Sequence, residues 1–372
     1  DLRISFKHTN EYKPYWIPEK IKKIIEAPLT ADLPPVALLT DVVWLPGHPV
    51  YEHVPETFLK YAYSMTESNK LLSEWVAALN NHFDAVLVPD SYLVEVYKKS
   101  GVQIPIFVLP LPVFLDSFLA FPVKEKPHNP FVFGCSAVYE DRKNLDRLIE
   151  AFTVAFNRSK DIVLKIHTKS AYRQELLEQV IAAQKNPFIQ LTVQALDEKA
   201  YADFMRSLDC YVLLSKGEGF SITPREALAA GIPCIVTDNT AQKTLCRSGF
   251  VYGVKSVLKE RGMYDFNGPE ELKKSVDIGY RFNCTVADAA RAMRTVFFKY
   301  DAALKKAALG RTWVKQYRPE ALKEQYLTLL KPKKVVLGRA NKIAEGCVIT
   351  DSKKLYTKLR RLAQRKSPEK EC

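Results

Sequence analysis

At 372 residues, 47% hydrophobic and 26% charged, the chain has the make-up of a globular protein with room for two domains at about 150 residues each, which excludes a disordered class. A net charge of +13 invites a nucleic-acid reading, but +9 of it falls in residues 331–372, and no recognised nucleic-acid motif accompanies it. Seven cysteines, odd in number and without C-x-x-C spacing, argue against a disulfide scaffold or a zinc site and for free thiols in a reducing compartment.

The first 120 residues read as a partial α/β domain. Val36–Trp44, Tyr61–Ser64 and Ala85–Pro89 are apolar strand runs, with helices predicted near Asn69–Asn80 and Ser91–Lys99. Ile104–Val123 is the most apolar stretch, but Pro105, Pro110, Pro112, Pro122 and Asp116 exclude a membrane span and predict a strand leading into a loop. Pro122–Pro130 reads as a linker.

The middle of the chain alternates strictly. Strands are predicted at Pro130–Ala137, Ile162–Lys165, Ile189–Ala195, Cys210–Ser215 and Cys234–Thr237. Between them lie helices over Leu145–Phe156, near Tyr172–Lys185, near Glu198–Leu208 and from Pro224. Such alternation predicts a parallel sheet covered on both faces, a doubly wound domain. After Tyr264 the pattern reads as helical to about Leu330, and the basic tail follows. In that tail, Leu355, Leu359 and Leu362 share one face among lysines and arginines, a pattern suited to an anionic membrane surface or to a solvated appendage.

Ligands of doubly wound sheets bind at the carboxyl ends of the strands. Two loops there carry chemistry. In Lys216-Gly-Glu-Gly-Phe-Ser-Ile-Thr223, Gly217 and Gly219 offer positive φ and close approach to a ligand. Thr223 is placed to cap the next helix, Pro224 to open it and Gly231 to end it. The free N–H groups at that helix start form a seat for a diphosphate. Glu226 has two readings, a ligand contact or the far member of a capping box with Thr223. Glu218, between two glycines, caps nothing and reads as a site residue or a solvated loop glutamate. In the other loop, Arg142 and Lys143 precede a helix, where cations are disfavoured unless an anion lies beside them.

The segment KGEGFSITPREALAAGIPCIVTD (residues 216–238) resembles the signature of family-four retaining glycosyltransferases of the GT-B fold, with glutamates at Glu218 and Glu226 in an E-x7-E spacing. RKN at 142–144 with LIEAF at 148–152, and residues 75–113, resemble that family too, and the similarity runs from about Tyr61 to Leu330. The resemblance implies two Rossmann-like domains facing a cleft, plus C-terminal helices. An acceptor-side domain would occupy residues 1–121, truncated or divergent at its start. A nucleotide-sugar-binding domain would occupy 122–330, followed by the basic tail 331–372.

It further implies that Glu226 holds the ribose hydroxyls and that Glu218 lies against the donor sugar. Gly219, Phe220 and Ser221 would offer backbone contacts, while Lys143 and Arg142 would bind the diphosphate. The anomeric configuration would be retained, the leaving phosphate helping to deprotonate the acceptor. The enzyme would be a hexosyltransferase using a nucleotide-diphosphate sugar and no cofactor. With no D-x-D triplet in the chain, no bridging metal is expected.

Two departures stand out: Ser136-Ala137 occupies the place of the family's Gly-Arg, and the glycine-rich first loop of the acceptor domain is missing. The family often has a histidine near the anomeric centre, for which His48 and His53 are candidates. The acceptor class is a glycan or lipid-linked acceptor, and the location cytoplasmic, peripheral to a membrane if the tail binds one. The competing readings are a sugar-nucleotide epimerase or phosphorylase on the same fold and, more distantly, a non-catalytic nucleic-acid binder.

Overall fold

The computed structural model describes residues 36–40, 49–54, 59–157, 159–169, 173–262 and 277–330, together with residues 23, 43, 348 and 349. Two parallel sheets organise them. The first is built from β1 (Val36–Leu39), β2 (Leu59–Tyr63), β3 (Ala85–Val88) and β4 (Ile106–Val108) in that order. A two-residue strand, Val348–Ile349, pairs beyond β4. Register sets Tyr61 beside Ala85 and Val86 beside Ile106.

Strand periodicity then sorts the side chains onto two faces. Ala62, Val86 and Ile106 face α1 (Ser73–His82) and α2 (Ser91–Lys99), packing with Trp75, Leu79, Leu93 and Tyr97. Tyr61, Tyr63, Leu87 and Phe107 form the opposite face. The helix predicted near Asn69 starts four residues later, at Ser73, because Asn69 and Lys70 are engaged in other contacts described below. Asp90 caps α2 by accepting from the Tyr92 N–H at 2.9 Å.

The predicted loop after β4 contains one short helix, α3 (Asp116–Leu119). The second sheet then draws on β5 (Phe131–Ser136), α4 (Leu145–Phe156), β6 (Ile162–Thr168), α5 (Gln174–Ala183), β7 (Ile189–Val193) and α6 (Glu198–Arg206). It continues through β8 (Cys210–Leu213), α7 (Ile222–Ala229), β9 (Cys234–Asp238), α8 (Gln242–Arg247), β10 (Tyr252–Arg261) and β11 (Tyr280–Cys284). The strand order is β11-β10-β9-β8-β5-β6-β7, parallel except for the antiparallel pair β10–β11. The doubly wound expectation is met, with helices on both faces of buried strands such as Cys210–Leu213 and with one antiparallel edge.

That edge corrects the sequence reading. Residues after Tyr264 were expected to be helical, yet among the described residues Tyr280–Cys284 is a strand, followed by the helices α9 (Val286–Phe298), α10 (Tyr300–Trp313) and α11 (Pro319–Leu330); residues 264–276 lie outside the described residues. β10, which lies between β9 and β11, was not foreseen because most of its residues are exposed, with lysines and a glutamate among its outward residues. It therefore lacks the apolar run of a buried parallel strand.

The last helix does not stay with the second sheet. Leu329 joins the core of the first sheet's outer face, and Tyr326 donates to the Pro110 carbonyl at 2.9 Å. Arg311 holds the connection between the sheets, donating from Nη2 to the carbonyls of Leu119 and Phe121 at 2.6 and 2.7 Å. Among the described residues no helix is long and apolar enough to cross a membrane. Cys135, Cys210, Cys234, Cys246 and Cys284 are free thiols, all but Cys246 fully buried.

Candidate functional site

The carboxyl ends of β5 and β8 deliver two loops that are stitched together. The Lys216 N–H donates to the Arg142 carbonyl at 2.8 Å, and Arg142 Nη1 donates to the Gly217 carbonyl at 3.2 Å. Lys143 sits at the end of a 3-10 turn, Asp141–Lys143. Asn144 follows with φ +59°, and its amide donates to the Leu214 carbonyl and to Asn283 Oδ1. That turn aims both cations at Glu218.

Lys143 Nζ donates to Glu218 Oε1 at 2.7 Å, Arg142 Nη1 lies 3.3 Å from Glu218 Oε2, and the Ser215 hydroxyl donates to Oε1. The Glu218 backbone is held as firmly: its N–H donates to Thr240 Oγ1 at 2.8 Å and its carbonyl accepts from the Ala241 N–H at 3.1 Å. Burial alone would raise this carboxyl, but Lys143 and then Arg142 overcome it and hold the group at about 2. Glu218 is therefore ionised, buried and doubly paired, which excludes the solvated loop glutamate. An anion does lie beside Arg142 and Lys143: it is Glu218.

The two glycines also admit a neighbouring segment of the chain. Neither takes positive φ. A Cβ on Gly217 would lie 1.8 Å from the Glu67 carbonyl oxygen, and one on Gly219 would lie 2.9 Å from Met65 Sδ. Both approaches come from the loop after β2, so the glycines admit the first sheet's loop against the second sheet's. Glu67 also lies 3.9 Å from Arg142. The neighbouring contacts repeat the pattern: Asn69 accepts from the Tyr280 N–H at 2.7 Å, and Lys70 pairs with Asp277.

The positive φ falls on Ser221, at +67°. Ser221, not Thr223, stands at the N-cap of α7, whose first residue is Ile222. Thr223 lies inside the helix and accepts from the Tyr211 hydroxyl at 2.7 Å. This removes the capping box, and Glu226 instead accepts from the Tyr201 hydroxyl at 2.9 Å. Burial pushes the Glu226 carboxyl up to about 7, with the Tyr201 bond opposing it. Gly231 ends the helix with φ +75°, as expected.

Beneath the loop lies Arg225, with no exposed surface. It stacks 3.8 Å from the Phe220 ring and 4.5 Å from the Tyr317 ring. Its Nη1 donates to the carbonyls of Phe220 and Ser221, fixing their backbone. Ser136, in place of the expected Gly-Arg, has its Oγ 2.8 Å from His167 Nδ1, while His167 Nε2 donates to the Gln194 carbonyl.

The structure thus brings together Arg142, Lys143, Glu218, Gly219, Phe220 and Ser221, with Glu226 one helical turn beyond. His48 lies outside the described residues. His53 ends the 3-10 turn Val50–His53, and its side chain lies outside the described part. Tyr201, Arg225, Thr240 and Lys216 were not anticipated. Lys216, bonded to Asp141 and Glu260 at 2.6 and 2.7 Å, and Arg225 lie within the segment 216–238, but Tyr201 and Thr240 lie outside it and carry no local sequence signal.

Residues 116–260 match the family described as Glycosyl transferases group 1. A stretch of 131 residues is 26% identical to the UDP-N-acetylglucosamine–peptide N-acetylglucosaminyltransferase GtfA subunit of Streptococcus parasanguinis, covering 35% of this chain and 25% of that protein. Among solved structures, the fold is similar to sucrose-phosphate synthase from Thermosynechococcus elongatus, with TM-score 0.58, 16% identity, and 79% and 72% of the two chains covered. It is also similar to the pneumococcal O-GlcNAc transferase GtfA in complex with UDP and GlcNAc, with TM-score 0.51, 16% identity, and 73% and 52% covered. The match thus spans a quarter of the streptococcal relative and about half of the pneumococcal chain. Residues 116–260 are thus similar to the glycosyl transferases group 1 family, and the fold is that of GT-B proteins.

Proposed function

We propose that the protein is a retaining glycosyltransferase that moves a hexose from a nucleoside-diphosphate sugar to a glycan or lipid-linked acceptor. The observation that carries this reading is the buried charge cluster Lys143–Glu218–Arg142 at the carboxyl ends of β5 and β8, pressed against the first sheet's loop. A diphosphate entering there would draw Lys143 and Arg142 onto its oxygens. Glu218 would then be released to accept hydroxyls of the donor sugar. Two cations beside the leaving diphosphate stabilise the negative charge that develops as the glycosidic bond breaks, without a metal ion. Glu226 would hold the ribose, and Gly219, Phe220 and Ser221 would present backbone to the donor. His48 and His53 are the proposed candidates near the anomeric carbon. We place the enzyme in the cytoplasm, with its basic tail at an anionic membrane surface.

The pneumococcal structure holding UDP and GlcNAc makes uridine diphosphate the first nucleotide to try. UDP, GDP, ADP and CDP are titrated by calorimetry, followed by release of sugar from the matching nucleotide sugars with and without EDTA. One nucleotide should bind in the micromolar range, and its sugar donor should turn over in EDTA. No binding by any of the four would overturn the reading. Activity lost in EDTA and restored by Mg²⁺ or Mn²⁺ would overturn its metal-independent part.

A further inference from the structure

Tyr201 stands on α6, outside the motif, and half-buried. Its ring packs edge-on to Phe118 at 6.0 Å and tilted to His167 at 6.1 Å, so helix α3 and strand β6 fix where its hydroxyl lies. That hydroxyl is a donor, because burial and then the neighbouring Glu226 push it far above the usual tyrosine range. It donates to Glu226 Oε2 at 2.9 Å, and Oε1 has no hydrogen-bond partner among the described residues.

A glutamate at the second turn of a helix has three side-chain torsions to restrain, and the last is soft. One charge-assisted bond from a ring that is itself wedged removes that freedom. We infer that Tyr201 is a positioning residue for ribose recognition, its hydroxyl holding the Glu226 carboxylate in the orientation that accepts the vicinal diol of a bound nucleotide. The inference rests on the nucleotide reading above. The charge requirement points the same way. Two ribose hydroxyls are both donors, so the carboxyl must be ionised to accept them together. Burial opposes that ionisation, and Tyr201 supports it.

Tyr201→Phe removes one oxygen and keeps the ring contacts. The parent is titrated with UDP, GDP, ADP and CDP, and the tightest is compared with its 2′,3′-dideoxy counterpart on parent and variant. Loss of a hydrogen bond to a charged group corresponds to about a tenfold loss of affinity. The expected result is that loss for the ribonucleotide and less than about twofold for the dideoxy form. Equal weakening of both would make Tyr201 a general structural support and overturn the inference, as would no weakening of either. Failure of the parent to bind any of the four overturns the nucleotide reading itself, and this inference with it.

Discussion

Lys143 Nζ donates to Glu218 Oε1 at 2.7 Å, so a lysine from the loop after β5 and a carboxylate from the loop after β8 neutralise each other across the cleft. The cluster is stable because each partner offsets the other's desolvation, and it is poised because a diphosphate offers the cations more charge than one carboxylate does.

Glu218→Gln tests this directly. It leaves Arg142 and Lys143 in the cleft without their counter-charge, which should cost about 3 kcal/mol of stability in the free protein. Nucleoside diphosphate binding should be unchanged or tighter, while turnover falls about a hundredfold or more. Saturating nucleotide should recover much of the lost melting temperature. A variant that binds nucleotide far more weakly than the parent would place Glu218 on the nucleotide instead of the sugar.

Glu226 makes the protein's stability depend on pH in an unusual direction. Its carboxyl is raised from 4.5 to about 7 in the fold, so the folded state holds a proton that the unfolded state has lost across that window. Stability from this group is therefore present below about 4.5 and declines as pH rises through about 7, by up to about 3 kcal/mol. Glu218 has the opposite sign: held at about 2, it stabilises above 4.5 and that stability is lost as pH falls toward 2. Melting curves of the parent and Glu226→Gln between pH 5 and 8 should converge at the acid end and separate toward pH 8, the variant being the more stable. Parallel curves would mean that Glu226 is not shifted.

Gly217→Ala should separate the two sheets at the cleft. The added Cβ would meet the Glu67 carbonyl oxygen and carbon at 1.8 and 2.9 Å, and backbone cannot swing aside as a side chain can. Stability should drop by about 1–3 kcal/mol, and turnover should fall more than nucleotide affinity, since the opposing loop belongs to the other sheet. Melting temperature and kinetics equal to the parent's would mean that the loops at 65–67 and 216–219 do not touch in solution.

Removing residues 332–372 should abolish sedimentation with anionic vesicles while sparing donor hydrolysis, because every proposed donor contact lies before Thr240. Each basic residue near such a surface contributes about 1 kcal/mol, screened by salt. The comparison at low and high salt decides it. Equal sedimentation of both forms would mean that the tail carries no membrane contact, and would move any such contact to the first domain.

The order of strands and helices from Pro130 to Asp238 was legible in the sequence, because buried parallel strands are written as apolar runs and their helices as 3.6-residue periods. The positions of Glu218 and Glu226, the glycines flanking the first and the paired cations at 142–143 were legible as well, since one loop and one helix start concentrate them within a few residues. What those residues touch was not. Glu218 meets Lys143 and Arg142 across 75 and 76 residues, Glu226 meets Tyr201 across 25, and Gly217 is small for the sake of Glu67 in the other sheet's loop. Such contacts arise from strand order and loop apposition, which local pattern does not encode. Even the helix cap moved from Thr223 to Ser221, because the Arg225 guanidinium, buried between Phe220 and Tyr317, bonds the carbonyls of Phe220 and Ser221 and imposes their backbone from below.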